Sequence, residues 1–378
     1  MFAPAGQTAE PAPRPREFQV GAYYFPNWHV DPQNEKRYGK GWTEWDLVKQ
    51  ARPRFPGHVQ PRVPLWGCQD EADPAVMEKK IAAAADHALD YWIFDWYRYD
   101  DGPFLDACLE KGYFAAKNNQ RVKFCCMWAN HDWLELFPAK RGKSTLIRPG
   151  AVTRKTFDAI VDEVVHRYFK HPAHFRIAGC PYFSIYELKT LIAGLGGPEA
   201  TRAALAHFRA ETEAAGFPAL HLGAVDFGIP GKPAETIKQL GIDSVTSYVW
   251  VHHVRLGQIE TDYREAQRQY FAYWARVEQS YGVPYYPNIT VGWDPSPRAD
   301  PSEPYGNFGY PFSNTIAGNS PERFKEALAA CKERLLRQAL GPRVLNINAW
   351  NEWTEGSCLE PDTRYKMGYL NALRAVFG

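Results

Sequence analysis

Short runs of β-branched and aromatic residues recur along the chain, and each gives way to a stretch in which apolar positions return every three or four residues. Eight such runs predict strands at residues 18–25, 91–96, 122–128, 181–186, 220–225, 244–250, 285–291 and 344–350. The intervening helical pattern is clearest over residues 74–89, 153–169, 198–215, 259–281 and 321–340. Pro74, Pro198 and Pro321 stand at the starts of three of these, where a missing N–H leaves no bond unmade. Asp73 and Ser320, just before two of them, have side-chain oxygens able to cap a first-turn amide. Strict alternation of strand and helix implies a parallel sheet, and eight repeats predict closure into a (β/α)8 TIM barrel rather than an open sheet. No GxGxxG follows the first strand, which argues against a dinucleotide-binding sheet.

The longest connections, residues 26–73, 129–151 and 292–319, each leave a strand and enter a helix, so in a barrel all three rise from one end. That end can vary without disturbing the packed interior, and it carries the active site in nearly all barrel enzymes. No internal linker interrupts the pattern, so residues 17–378 read as a single barrel domain with long βα loops. The Ala/Pro-rich lead over residues 1–16 reads as disordered. It lacks the apolar core of a secretory signal; as the remnant of a trimmed signal it would place the protein in the periplasm or outside the cell, so localisation stays open.

Charge narrows the partner. With 44 Lys plus Arg against 43 Asp plus Glu, no global field favours nucleic acid or an anionic membrane. No apolar run is long enough to span a bilayer. The expected partner is a neutral oligo- or polysaccharide, and the expected state a monomer. Aromatic residues form 15% of the chain, more than core packing requires, and flat rings stack on the apolar faces of sugars. The seven cysteines form neither a CxxC pair nor a regular framework, so no zinc site is indicated.

The last strand runs directly into NEWTEGSCLEPD and delivers Glu352 and Glu355 just past its carboxyl end. Two carboxylates three positions apart on a helical turn lie on one face, and like charges so close push one proton affinity above the other. One group can then serve as acid and the other as base, the division that glycoside cleavage needs. An arbitrary ExxE is usually a solvated pair; here the interleaved Trp350 and Trp353, the Asn346 and Asn348 that alternate with apolar residues in the strand, and the barrel position favour a catalytic centre, with Trp350 and Asn351 as substrate-binding candidates beside it. For a glycosidase neither a metal nor an organic cofactor is expected. Other strand ends supply substrate-binding candidates: Tyr24 and Trp28; Asp95, Trp96 and Tyr97; Trp128, Asn130 and His131; Glu187; Tyr248, Trp250 and His252; and Trp293. Trp42 and Glu44, in the first long loop, join them.

The segments AYYFPNWH, GKGWTEWDLVKQARPRFPGHVQPRVPL, CMWANHDW and NAWNEWTEGSCLEPD resemble the WbsX-like proteins, themselves similar to family 99 glycoside hydrolases, and the likeness runs over about residues 18–376. The resemblance implies a (β/α)8 barrel acting on α-linked mannose or a related sugar, with retention of configuration and no enzyme nucleophile. It implies that Glu352 is the base that helps the sugar's own 2-hydroxyl attack the anomeric carbon, and that Glu355 is the general acid/base, a departure from the usual scheme of nucleophile plus acid. The hydrolases commonly carry EWHEG, whereas this chain has Thr354 between the glutamates, as in the WbsX-like branch. Two alternatives remain open: a glycosyltransferase of polysaccharide biosynthesis using the same pocket, and a carbohydrate-binding barrel without turnover.

Overall fold

The computed structural model describes residues 17–143, 145–337 and 341–378; the disordered lead expected over residues 1–16 and the last three positions of the expected 321–340 helix lie outside the described residues. Eight parallel strands form the barrel: β1 (Gln19–Tyr24), β2 (Tyr91–Tyr99), β3 (Lys123–Trp128), β4 (Cys180–Ile185), β5 (His221–Val225), β6 (Ser244–Thr246), β7 in two pieces (Tyr285–Tyr286 and Asn288–Thr290) and β8 (Val344–Asn348). Neighbours in sequence are neighbours in the sheet from β1 to β6. The ring closes through β7: its first piece pairs with β6 and its second with β8, which pairs with β1. Pro287 splits β7 because it has no N–H for the ladder, yet its carbonyl still accepts from Asn346 at 3.0 Å.

Each strand is followed by a helix: α1 (Pro74–Asp86), α2 (Cys108–Tyr113, π-type), α3 (Arg154–Glu163, continued as a π-turn over Val164–Tyr168), α4 (Pro198–Ala214), α5 (Pro233–Leu240), α6 (Tyr263–Val277), α7 (Pro321–Leu336) and α8 (Gly368–Phe377). The expected caps form, with Asp73 accepting from Ala75 N and Ser320 from Arg323 N. The helix expected from residue 259 begins only at Tyr263. Glu260–Asp262 instead pairs with Thr315–Ala317 in a small parallel ladder, and Asp262 caps α6. The sixth strand, expected to reach residue 250, ends at Thr246, and a 3-10 turn opens at Trp250.

Strands covered by helices on one side and by the barrel interior on the other are buried on both faces, and every residue of β2 is buried. Large and small side chains alternate inside. A Cβ on Gly21 would come 2.3 Å from the Tyr91 ring, and one on Gly223 2.4 Å from the Tyr182 hydroxyl, so glycine makes room for a tyrosine at two places in the barrel. One chain of interior polar groups is bonded across the barrel. Tyr91 donates to Asn346 Oδ1 at 2.6 Å, and Asn346 Nδ2 to Thr246 Oγ1 at 2.8 Å. All seven cysteines are free; Cys125 and Cys126 pack in the core, while Cys180 is half-exposed. No helix among the described residues is long and apolar enough to cross a membrane.

Candidate active site

A cavity of about 710 Å³ opens at the carboxyl ends of the strands, a volume within the ligand-pocket range. Glu352 and Glu355 stand on its floor, 3% and 6% exposed, in the turn that follows β8. The Asn348–Ala349 peptide at the end of β8 is cis. Two anchors hold this turn. The Asn351 side chain accepts from Phe25 N at 2.8 Å and donates to Phe25 O at 2.9 Å, which ties the turn to β1. Behind it, the fully buried Lys80 of α1 donates to Glu71 at 2.5 Å and Glu360 at 2.7 Å; Glu71 also receives Asn351, and Glu360 receives Trp353 Nε1 at 2.8 Å. Residues on both sides of Glu352 are therefore fastened to one buried ionic cluster.

One guanidinium organises the acidic groups. Arg298, from the long loop after β7, donates from Nε to Glu44 at 2.9 Å, from Nη2 to Glu352 at 3.2 Å and from Nη1 to Glu355 at 2.5 Å. Tyr310 adds a bond to Glu355 at 2.7 Å and also receives Arg298. Burial works against the charge on Arg298, and Glu44, Tyr310, Glu355 and Glu352 more than offset it. Tyr248, after β6, places its hydroxyl 2.9 Å from Asp95 Oδ2 and 3.0 Å from Glu352 Oε1.

Four buried carboxyls thus face one cation, and they cannot all ionise cheaply. Burial lifts Glu352 well above the usual carboxylate range; Glu355 and Asp95 lift it further, and Arg298 opposes them. Burial also raises Glu355, but Arg298 and Tyr310 both favour its ionised form. Asp95 is lifted well above its ordinary value by burial, with the Tyr248 bond opposing. His252 is held down to about 3 by burial and by His253, and burial lowers His131, so both imidazoles are neutral donors or acceptors at neutral pH. Among the described residues no group of three or more His, Cys, Asp or Glu is arranged to hold a metal ion.

Of the residues singled out from sequence, the cavity brings together Glu352, Glu355, Asp95, Tyr97, His131, Tyr248, His252 and Trp293. The others do not line it, because each is already committed to packing or to a structural bond. Tyr24 bonds Met77, Trp28 packs on Trp45, and Trp42 packs on Tyr38. Trp96 lies under the Arg98 guanidinium, Trp128 donates to Arg98 O, Trp250 donates to Asn288 O, and Trp350 packs on Trp92. Asn130 exchanges two bonds with the Glu187 backbone, and the Glu187 carboxylate receives Thr190. Asn351 is used up by Phe25 and Glu71, as above. Glu44 is buried behind Glu352 and Glu355, where it takes bonds from Asn27, Arg298 and Thr354, so the Thr354 that distinguishes this chain faces Glu44 rather than the cavity.

Sequence reasoning passed over Arg298, Tyr310 and Tyr186. Arg298 and Tyr310 lie in the 292–319 connection, whose length was the only signal that it mattered. Tyr186 is the residue after β4 and joins Phe227, Tyr248 and His252 in one aromatic wall.

A family model described as glycosyltransferase WbsX matches residues 20–373. WxcX of Xanthomonas campestris pv. campestris, a protein named as uncharacterised, is 28% identical over 368 residues; the match takes in 93% of this chain and 48% of the relative. The chain therefore spans about half the length of the curated relatives it matches. Among solved structures, a protein titled glycoside hydrolase-like superposes with a TM-score of 0.62 at 15% identity, covering 99% of this chain and 97% of that one. The family 99 glycoside hydrolase endo-α-mannosidase of Bacteroides thetaiotaomicron superposes with a TM-score of 0.55 at 15% identity, covering 94% and 96%. At these identities the likeness establishes the barrel fold.

Proposed function

The chain belongs to the WbsX family, and from that premise we propose that it is a retaining glycoside hydrolase cleaving α-linked mannose or a related sugar in an oligo- or polysaccharide. The observation that carries this reading is the coupled pair Glu352 and Glu355, buried together on the floor of an aromatic-walled cavity and bridged by one guanidinium. The resemblance to family 99 hydrolases supplies the division of labour.

In that scheme Glu355 gives its proton to the departing glycosidic oxygen while Glu352 takes the proton of the sugar's 2-hydroxyl. The freed 2-oxygen bonds to the anomeric carbon as the glycosidic bond breaks, leaving a 1,2-anhydro sugar. Water then opens that ring: Glu355 takes the water's proton and Glu352 returns its proton to the 2-oxygen. Two inversions at one carbon give retention. The surroundings suit this use. A sugar filling the cavity expels water, which raises the proton affinity of Glu355 against Arg298 and Tyr310 and strengthens each hydrogen bond to the reacting oxygens. His131, whose Nδ1 donates to Asp132 O, offers its Nε2 as an acceptor, His252 offers a ring nitrogen, and the rings of Tyr186 and Phe227 offer stacking surfaces.

A second reading comes from the family's description as a glycosyltransferase: the same cavity would pass the sugar to another hydroxyl instead of water. One experiment decides. The protein is incubated with a panel of α-mannosides, with and without nucleotide sugars, beside Glu352→Gln and Glu355→Gln. Release of reducing ends by the wild type, abolished in both variants, supports hydrolysis. Elongation that requires a nucleotide sugar replaces it with transfer, and binding without turnover under both conditions leaves a carbohydrate-binding barrel.

A further inference from the structure

Tyr248 has one phenolic hydrogen and stands between two carboxyls, Asp95 at 2.9 Å and Glu352 at 3.0 Å. Both contacts can be hydrogen bonds only if one carboxyl is protonated and donates to the phenol oxygen while Tyr248 donates to the other. Two arrangements satisfy the row, and they carry the same charge. In one, Asp95 is neutral and Glu352 ionised; in the other the roles are exchanged. They interconvert when Glu352 gives its proton to the Tyr248 oxygen as Tyr248 gives its own to Asp95.

The second oxygen of each carboxyl distinguishes them. Glu352 Oε2 meets Arg298 Nη2 at 3.2 Å, so an ionised Glu352 has a cation at its other oxygen. Asp95 Oδ1 is buried with no hydrogen-bond partner. An ionised Asp95 would leave half of a buried negative charge facing nothing, whereas a neutral one places only a carbonyl there, a much smaller desolvation cost. The groups that act on Asp95 are Arg298 from the loop after β7, Glu355 after β8 and Tyr248 after β6; Tyr23 of β1, Tyr97 of its own strand and Tyr186 after β4 feel its charge in turn. Arg298 is the one cation in that set, and its bonds go to Glu44, Glu352, Glu355 and Tyr310 rather than to Asp95.

We propose that Asp95 holds the proton that this row shares and, through Tyr248, keeps Glu352 ionised and ready to accept the proton of the sugar hydroxyl. Asp95 is then a positioning residue, although it lies at the cavity wall. The proposal rests on reading Glu352 as the base, and it accounts for how a carboxyl that burial so strongly favours protonating can begin the reaction as a carboxylate.

Asp95→Asn imitates the neutral acid, because its amide donates to Tyr248 while its carbonyl takes the Oδ1 position. Tyr248→Phe cuts the row. With a cleaved glycoside, kcat/KM is followed against pH. Asp95→Asn is expected to stay within about tenfold of wild type with its acid limb unmoved. Tyr248→Phe is expected to move the acid limb upward by about one pH unit, since Glu352 loses a donor, and the double variant to behave as Tyr248→Phe alone. A loss of about a hundredfold or more in Asp95→Asn at every pH, or an acid limb that falls when its charge is removed, would overturn the proposal. Infrared difference spectroscopy gives a second readout without turnover: one neutral carboxylic carbonyl component present in the wild type at neutral pH should be lost in Asp95→Asn and kept in Glu352→Gln. The reverse pattern places the proton on Glu352 and sinks the idea. A wild type that cleaves nothing defeats the glycosidase reading instead, and the infrared comparison then decides the proton's position alone.

Discussion

Replacing Arg298 by methionine tests the electrostatic design of the site most directly. The substitution keeps much of the side-chain volume and removes three ion pairs at once, to Glu44, Glu352 and Glu355, together with the bond to Tyr310. Each such bond contributes about 1.5–3 kcal/mol net, but the losses do not add, because the stranded carboxyls can take up protons instead of remaining charged. Breaking a buried pair by removing one partner costs about 3–5 kcal/mol, and that range is the expected loss of unfolding free energy at neutral pH. The sign of the pH dependence follows from the same step. Without the guanidinium, the folded-state proton affinities of Glu352 and Glu355 rise further above those of the unfolded chain, so the folded variant holds protons that the unfolded one releases. The unfolded chains titrate alike, at about 4.3 for a glutamate, so the gap to wild type is smallest at acid pH, where both folded proteins hold these protons, and widens as pH rises through the wild type's raised folded values toward the variant's still higher ones. Denaturant unfolding of both proteins at mildly acidic and at slightly alkaline pH measures this. A gap of less than about 1 kcal/mol, or one that does not widen toward alkaline pH, would show that Arg298 is not the counter-charge of the cluster.

Three further outcomes follow from the same structure. Glu355→Gln should lose far more activity on glycosides with poor leaving groups than on activated aryl glycosides, because only the former need a proton; equal losses in a leaving-group series would remove Glu355 from the acid role. Lys80→Met leaves Glu71 and Glu360 buried without a cation and should cost about 3–5 kcal/mol. Burial already holds Glu71 up at about 7, so adding Glu71→Gln should restore part of that loss in a denaturant series, and no restoration would uncouple the two residues. Gly21→Ala, whose new methyl meets the Tyr91 ring, should destabilise by about 1–3 kcal/mol, and a midpoint unchanged from wild type would mean that the barrel interior yields there at no cost.

The fold was legible because its signals are local. Each of the eight strands appears near its expected place, since a strand buried on both faces writes a continuous apolar run into the chain. Asp73 and Ser320 marked helix starts because capping involves residues two or three positions apart. The placing of Glu352 and Glu355 at the cavity was legible for the same reason, both lying within four residues at the end of one strand. The tryptophans were misleading. Trp28, Trp96, Trp128, Trp250 and Trp350 sit at strand ends as an active-site residue would, but their faces turn into the core, and composition cannot tell a ring that packs from a ring that stacks on a ligand.

What the chain order alone determined is the alternation of strand and helix, the end of the barrel that carries the long loops, and the delivery of Glu352 and Glu355 to that end. Only the tertiary structure decided which charges surround them. Arg298 stands 254 positions from Glu44 and 54 from Glu352, and Tyr248 is separated from Asp95 by 153. Proton affinity depends on distance in space and on exclusion of water, and neither is written in sequence separation. Barrel closure brings these distant loops to one mouth, and there the carboxyls acquire their unequal hold on protons.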